Sequence, residues 1–179
     1  MNMRKPGSPG AVLAILMLTA SVGWSQQADT AAAPDTAVAR EEDGRYFNAE
    51  DIPTFHIAED GTVDWRTYSG YRRYHSECHV CHGPDGEGSS YAPALKNSVM
   101  RLDYYDFVGI VAGGRQNVGG GHENVMPAFG DNANVMCYLD DIYVYLRARG
   151  TDAIPRGRPA KHDDKTDVIR EDENACMGT

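Results

Sequence analysis

Polar and apolar positions divide the chain into regions of different character. Ala11 to Ala20 is an apolar run without charge, preceded by the basic pair Arg4 and Lys5 and followed by small residues around Trp24. The run is too short to span a bilayer comfortably, and its flanks predict a secretory signal peptide over residues 1–25, cleaved after Ser25. Residues 26–45 are rich in Ala, Asp, Thr and Glu, with almost no large apolar side group. Such a stretch buries too little surface to offset its ordering entropy, which predicts a disordered linker. Over residues 46–64 aromatics return at Phe47 and Phe55, interrupted by Pro53 and by Asp60-Gly61. That pattern predicts an irregular arm packed on a domain, with room for a short hairpin.

Helical spacing begins after Trp65. Gly70, Tyr74 and Cys78 recur at intervals of four, which places them along one face of a helix. Asp103 to Ala112 predicts a middle helix with Phe107, Ile110 and Val111 inward, ended by Gly113-Gly114. Val135 to Arg149 predicts a last helix with Leu139, Ile142, Tyr145 and Leu146 on one apolar stripe. Its N-cap is Asn132 or Asn134, and Gly150 is its stop. Residues 65–150 are therefore the expected domain, and residues 151–179 a polar C-terminal tail.

Length and charge narrow the function. A protein of 179 residues has room for one compact domain plus tails, and 4 Phe, 10 Tyr and 2 Trp suffice for a small core. The formal net charge of -9 argues against nucleic-acid partners and favours a basic protein surface. Residues 1–25 carry two positive charges and no negative ones, so their removal leaves a still more acidic protein. With the signal cleaved, no membrane span remains in this reading, and the periplasm is the expected location. No internal repeat or nucleotide-binding glycine pattern is apparent.

The segment that carries chemistry is Cys78-His79-Val80-Cys81-His82. In an exported protein C-x-x-C-H reads as a c-type haem attachment site. Two thiols on one turn of backbone add to the two vinyl groups of one haem, and the adjacent His82 imidazole becomes the proximal iron ligand. A redox-active dithiol would want a βαβ context, and a zinc site would want a second well-spaced Cys/His pair; neither is visible. A second axial ligand must come from elsewhere. Met126, in Met126-Pro127-Ala128-Phe129-Gly130, is favoured, since a loop methionine before proline is poorly explained as core filler. Gly119-Gly120-Gly121 would let this loop approach the haem closely. Spacing leaves His122 open as a competitor, while Met100 and Met136 sit in sequence surroundings that read as helical.

Together these segments resemble the class I cytochromes c over residues 65–150. The resemblance implies a mostly α-helical fold, three or more helices around one covalently bound haem c, with irregular arms at both ends. It also implies that the last helix crosses the first, bringing Tyr145 and Ile142 against Gly70 and Tyr74. Pro93 and Leu95 match the family's proline and leucine on the proximal side. The Pro93 carbonyl would then accept a hydrogen bond from the free ring nitrogen of His82, fixing the imidazole's orientation. A neutral thioether from Met126, compared with a second histidine, raises the potential.

The acidic arm, the wording around Met126 and the count of four cysteines resemble a narrower group linked to methanol metabolism and to pyrroloquinoline-quinone (PQQ) alcohol dehydrogenases. That resemblance implies a monomeric periplasmic one-electron carrier, not an enzyme. It would accept electrons from such a dehydrogenase and pass them to a downstream cytochrome or oxidase. Two other readings stay open: a haem enzyme or gas sensor with a displaceable distal ligand, and a fixed cytochrome subunit of a dehydrogenase complex. Cys137 and Cys176 remain over and are expected to pair in an oxidising compartment, pinning the tail to the domain. His79 is expected to face solvent, and His56, His75 and His162 to play surface or hydrogen-bonding roles. Asp140-Asp141 and Asp163-Asp164 read as solvated charges.

Overall fold

The computed structural model describes residues 1–3, 35–119 and 122–179, with the backbone alone at 117–119 and 122–124. The expected signal peptide, apart from its first three residues, lies outside the described residues. The protein divides into Met1–Thr30 and Ala31–Thr179, and the second unit holds all the described elements. It opens with a small antiparallel sheet of β1 (Arg40–Glu42), β2 (Arg45–Phe47) and β3 (Pro53–Thr54), in which Arg40 faces Phe47 and Tyr46 faces Thr54. There follow α1 (Trp65–Glu77), α2 (His79–His82), α3 (Leu95–Ser98) and α4 (Tyr104–Gly113). An antiparallel hairpin of β4 (Arg115–Gly119) and β5 (His122–Met126) precedes α5 (Ala133–Met136), α6 (Leu139–Gly150) and α7 (Asp167–Met177). The mostly helical character expected from the sequence is present.

The helix starts follow from capping chemistry. Buried Asp64 precedes α1 and accepts from Thr67 N at 2.9 Å, Thr67 Oγ1 at 2.6 Å and His56 N at 2.9 Å. Burial pushes this carboxyl up, against the lowering effect of those bonds. Asp103 and Thr166 cap α4 and α7 in the same way, and Gly178 ends α7 in the left-handed region.

The helix crossing that frames the domain is α1 on α6. Gly70 lies under the backbone of α6: a Cβ there would stand 1.8 Å from Asp141 O and 2.8 Å from Tyr145 Cβ. One turn on, the Tyr74 and Tyr145 rings are 5.6 Å apart, both fully buried. Ile142 is buried in the same core. The close approach is possible only because position 70 has no side group.

Three expectations need correction here. The last helix is not continuous from Val135: it breaks at Cys137-Tyr138 between α5 and α6, with Asn132 capping the short first piece. Helix α6 is also buried on all its faces rather than along one stripe, including Val144, Ala148, Arg147 and Arg149. The N-terminal sheet and the residues after Gly150 cover its outer side, where Arg147 and Arg149 are buried with partners: Val99 O for Arg147, and Ile154 O and Glu87 for Arg149. Finally, Asp141 is not a solvated charge. It is buried and bonded to Arg66 Nε at 2.8 Å, while Asp140 accepts from Tyr104 OH at 2.5 Å. Burial outweighs Arg66 and pushes the Asp141 carboxyl up to about 6. Asp163 and Asp164 are exposed.

The arms are part of the folded unit. Strand β1 occupies Arg40–Glu42, inside the segment expected as linker, because the backbone of β2 supplies hydrogen-bond partners that its sequence does not signal. The tail runs beside α1: His162 bridges Val63 and stacks on Tyr68 at 3.7 Å. Helix α7 buries Ile169 and sets Glu173 on Lys165 Nζ at 2.7 Å and Tyr138 OH at 3.1 Å. One turn later a disulfide joins Cys176 to Cys137, with Cα atoms 5.8 Å apart. Arg45 pairs with Asp172 of α7, tying the first sheet to the tail.

Candidate functional site

The attachment motif sits where α1 hands over to α2. Cys78 ends α1, and the single turn His79–His82 carries Cys81 and His82 on from it. A tight backbone turn follows. Gly83 has φ 72°, ψ 165°, and a Cβ there would strike Gly88 O at 2.1 Å, while Gly88 N donates to His82 O at 2.7 Å. Tyr74, buried in α1, donates its hydroxyl to Gly83 O at 2.5 Å and accepts from Gly86 N at 3.1 Å. Helical spacing, which assigns Tyr74 to packing alone, gives no sign of this role for its hydroxyl.

His82 is 7% exposed, and its Nδ1 lies 2.9 Å from the Pro93 carbonyl. The carbonyl can only accept, so Nδ1 carries a proton, and in the neutral imidazole that leaves the lone pair on Nε2. Ser89 Oγ donates to Cys81 O, holding the segment that leads to Pro93 against the motif. Leu95 follows at the start of α3.

Cys78, Cys81, His82, Pro93, Leu95 and Met126 all line one cavity of about 670 Å³. Most of its remaining wall is apolar, from Phe107, Ile110 and Val111 of α4, Val135 of α5, and Leu139, Ile142 and Leu146 of α6, with Glu77, Ser98 and Arg115 as its polar members. Val80, Tyr91 and Val125 also line it yet are 74%, 75% and 63% exposed, so they mark its mouth. Cys78 is half-buried and Cys81 exposed, and neither takes part in a disulfide.

Met126 reaches the cavity from a strand rather than a free loop. It is the last residue of β5, opposite Arg115 of β4. Gly119 and His122 close the ladder, whereas Gly120, Gly121 and the His122 imidazole lie outside what the structure describes. Met100 and Met136 do not line the cavity; Met100 lies in the turn after α3, its Sδ 3.3 Å from Arg147 Nη1. His79 does not face solvent as its place in the motif predicts: it is half-buried and stacks with His75 at 5.8 Å. His75 bonds the Tyr71 carbonyl at 2.8 Å, and His56 stacks on Tyr46 at 4.7 Å. Among the described residues no His/Cys/Asp/Glu cluster could hold a bare metal ion.

These residues fit a haem. The volume lies in the usual cofactor range of roughly 300–1,000 Å³ and the walls are mostly apolar. Two thiols, an imidazole with a free Nε2 and a thioether converge on the same space.

Comparison with known proteins agrees with that chemistry. No family model matches the sequence. Over 136 residues it is 63% identical to cytochrome c-553I of Paracoccus denitrificans, an alignment covering 76% of this protein but 60% of that one's length. It is 37% identical over 100 residues to cytochrome c-555 of Methylococcus capsulatus, covering 55% of this protein and 75% of that one. Among solved structures, the c-type cytochrome XoxG from Methylobacterium extorquens AM1 superposes with a TM-score of 0.74 at 59% identity. That match covers 79% of this protein and 86% of the solved one.

Proposed function

Because this protein belongs to the class I c-type cytochromes and so carries covalently attached haem c, we propose that it is an exported one-electron carrier rather than an enzyme. In this reading Cys78 and Cys81 attach the haem, and His82 and Met126 are its axial ligands, with Pro93 and Leu95 on the proximal side. The observation that carries it is the single cavity shared by the two thiols, His82 and Met126. The haem supplies the one-electron couple; the protein supplies ligand choice, burial and docking. Pro93 holds the His82 proton on Nδ1 and so leaves Nε2 for iron. The mostly apolar wall lowers the polarity around the haem, and the exposed Val80, Tyr91 and Val125 surround the opening at which a redox partner approaches.

The donor in this proposal is a PQQ-dependent alcohol dehydrogenase, of the kind associated with methanol metabolism, and the acceptor a downstream cytochrome or oxidase. The likeness to XoxG and the net charge of -9 support it. The N-terminal basic, apolar and small-residue pattern supports export to the periplasm. Among the described residues no helix is long and apolar enough to cross a membrane. Stopped-flow reduction of the ferric holoprotein by quinoprotein alcohol dehydrogenases, at several salt concentrations, tests the partner. Fast reduction that slows with salt is expected; no reduction by any of them removes that partner and leaves the carrier. Carbon monoxide tests the carrier itself: rapid, complete binding to the reduced protein at neutral pH defeats it.

A further inference from the structure

Helix α4 ends at Gly113, and the next residue is built unlike its neighbours. Gly114 has φ 73°, ψ -179°, a backbone region that is essentially glycine-only. A Cβ on it would lie 2.7 Å from Met126 O, 2.8 Å from Ala128 N and 3.0 Å from the Pro127 carbonyl carbon. All three are backbone atoms, so no change of rotamer relieves the clash. Just beyond, Phe129 N donates to Val111 O and Gly130 N to Ala112 O, each at 3.0 Å. Those carbonyls belong to the last turn of α4 and have no acceptor role within the helix. Arg115, the first residue of β4, pairs with Met126 at the end of β5. The segment 126–130 is thus held by two hydrogen bonds to the last turn of the helix that supplies Phe107 and Val111 to the cavity wall, and by strand pairing with Arg115 just beyond it.

We infer that Gly114 is a positioning residue for the Met126 ligand: its lack of a Cβ lets the end of α4 lie flat against Met126-Pro127-Ala128 and so sets how far the thioether reaches into the cavity. This rests on the reading of Met126 as an iron ligand. A Cβ at position 114 displaces the segment, and the resulting strain is relieved when the thioether lets go. The variant should therefore give up its methionine more readily to an added ligand, whatever happens to global stability.

Two other glycines provide a graded comparison. A Cβ added to Gly113, immediately before, would have nothing within 4 Å, while a Cβ on Gly130 would touch Ala112 O at 3.1 Å, a lighter push on the same segment. The experiment is imidazole titration of the full-length ferric holoprotein for the wild type, Gly113→Ala, Gly130→Ala and Gly114→Ala. The near-infrared thioether-to-iron absorption and the thermal midpoint are recorded on each. Gly114→Ala should bind imidazole at least about tenfold more tightly, the factor that about 1.4 kcal/mol represents. Gly130→Ala should fall between it and Gly113→Ala, which keeps the wild-type affinity. Wild-type affinity in Gly114→Ala, an equal gain in Gly113→Ala, or a lowered midpoint with unchanged affinity overturns the inference while Met126 stands. Absence of the thioether absorption from the wild type instead removes the Met126 reading, and the inference with it. If Gly114→Ala yields no holoprotein, Gly130→Ala decides: affinity equal to that of Gly113→Ala overturns the inference.

Discussion

Adding one methyl group at the α1–α6 crossing, Gly70→Ala, should cost more than almost any other single-methyl change in this protein. The new Cβ would stand 1.8 Å from Asp141 O and 2.5 Å from the Asp141 carbonyl carbon, both backbone atoms. Ordinary contact needs well over 3 Å, so α6 must withdraw by roughly 1.5 Å, and a gap of only 0.5–1 Å already forfeits a quarter to a half of a dispersion contact. The withdrawal strips packing from Tyr145 and Ile142 and pulls Asp141 away from Arg66 Nε, which stands 2.8 Å from it. Overpacking alone costs about 1–3 kcal/mol. With the disturbed buried ion pair added, a loss of about 3 kcal/mol or more is expected, a large share of the roughly 5–15 kcal/mol that holds a domain together. Gly109→Ala is the internal control, because that helical glycine has nothing within 4 Å of its would-be Cβ. It should stabilise by about 0.5–1 kcal/mol, through helix propensity alone. Guanidinium unfolding of the holoproteins, followed by haem absorbance and by fluorescence, measures both. Gly70→Ala within about 1 kcal/mol of the wild type would refute the close crossing.

Three further changes test other parts of the structure. Replacing Cys137 and Cys176 by Ser opens a loop of sequence separation 39 and should cost at most about 4 kcal/mol in the loop-closure entropy model; urea unfolding with and without reductant reads it, and only the wild type should respond to reductant. Tyr74→Phe strands the Gly83 carbonyl and the Gly86 N–H without their buried partner, for a loss of about 1–3 kcal/mol. Faster amide exchange at Gly86 and Gly88 should accompany it. Asp141 holds its proton more tightly folded than unfolded, so its contribution favours the folded state at low pH and is lost as pH rises from 3.8 through about 6. Asp141→Asn should flatten that part of the stability–pH curve, and an unchanged slope would show that another group produces it.

What could be read from the sequence was whatever depends on neighbours along the backbone. The attachment motif is one turn long, so two thiols and an imidazole are brought together by spacing alone. The four-residue rhythm of Gly70, Tyr74 and Cys78, the run to Gly113-Gly114 and the Met-Pro pair are likewise local signals. Burial of α6 on every face was not legible, because it depends on arms that lie far away in sequence and fold over it. For the same reason Asp141 looks in the sequence like one of two solvated charges, when Arg66 and the crossing of α1 enclose it. The strand at Arg40–Glu42 escapes notice there since its hydrogen bonds come from the backbone of β2 and need no apolar pattern. At the site, spacing could nominate Met126 but not how it is held. Strand pairing with Arg115, the bare backbone of Gly114 and the open carbonyls at the end of α4 meet Met126-Pro127-Ala128 only in three dimensions. Local chemistry named the groups that can hold a haem; long-range contacts decided where each one stands.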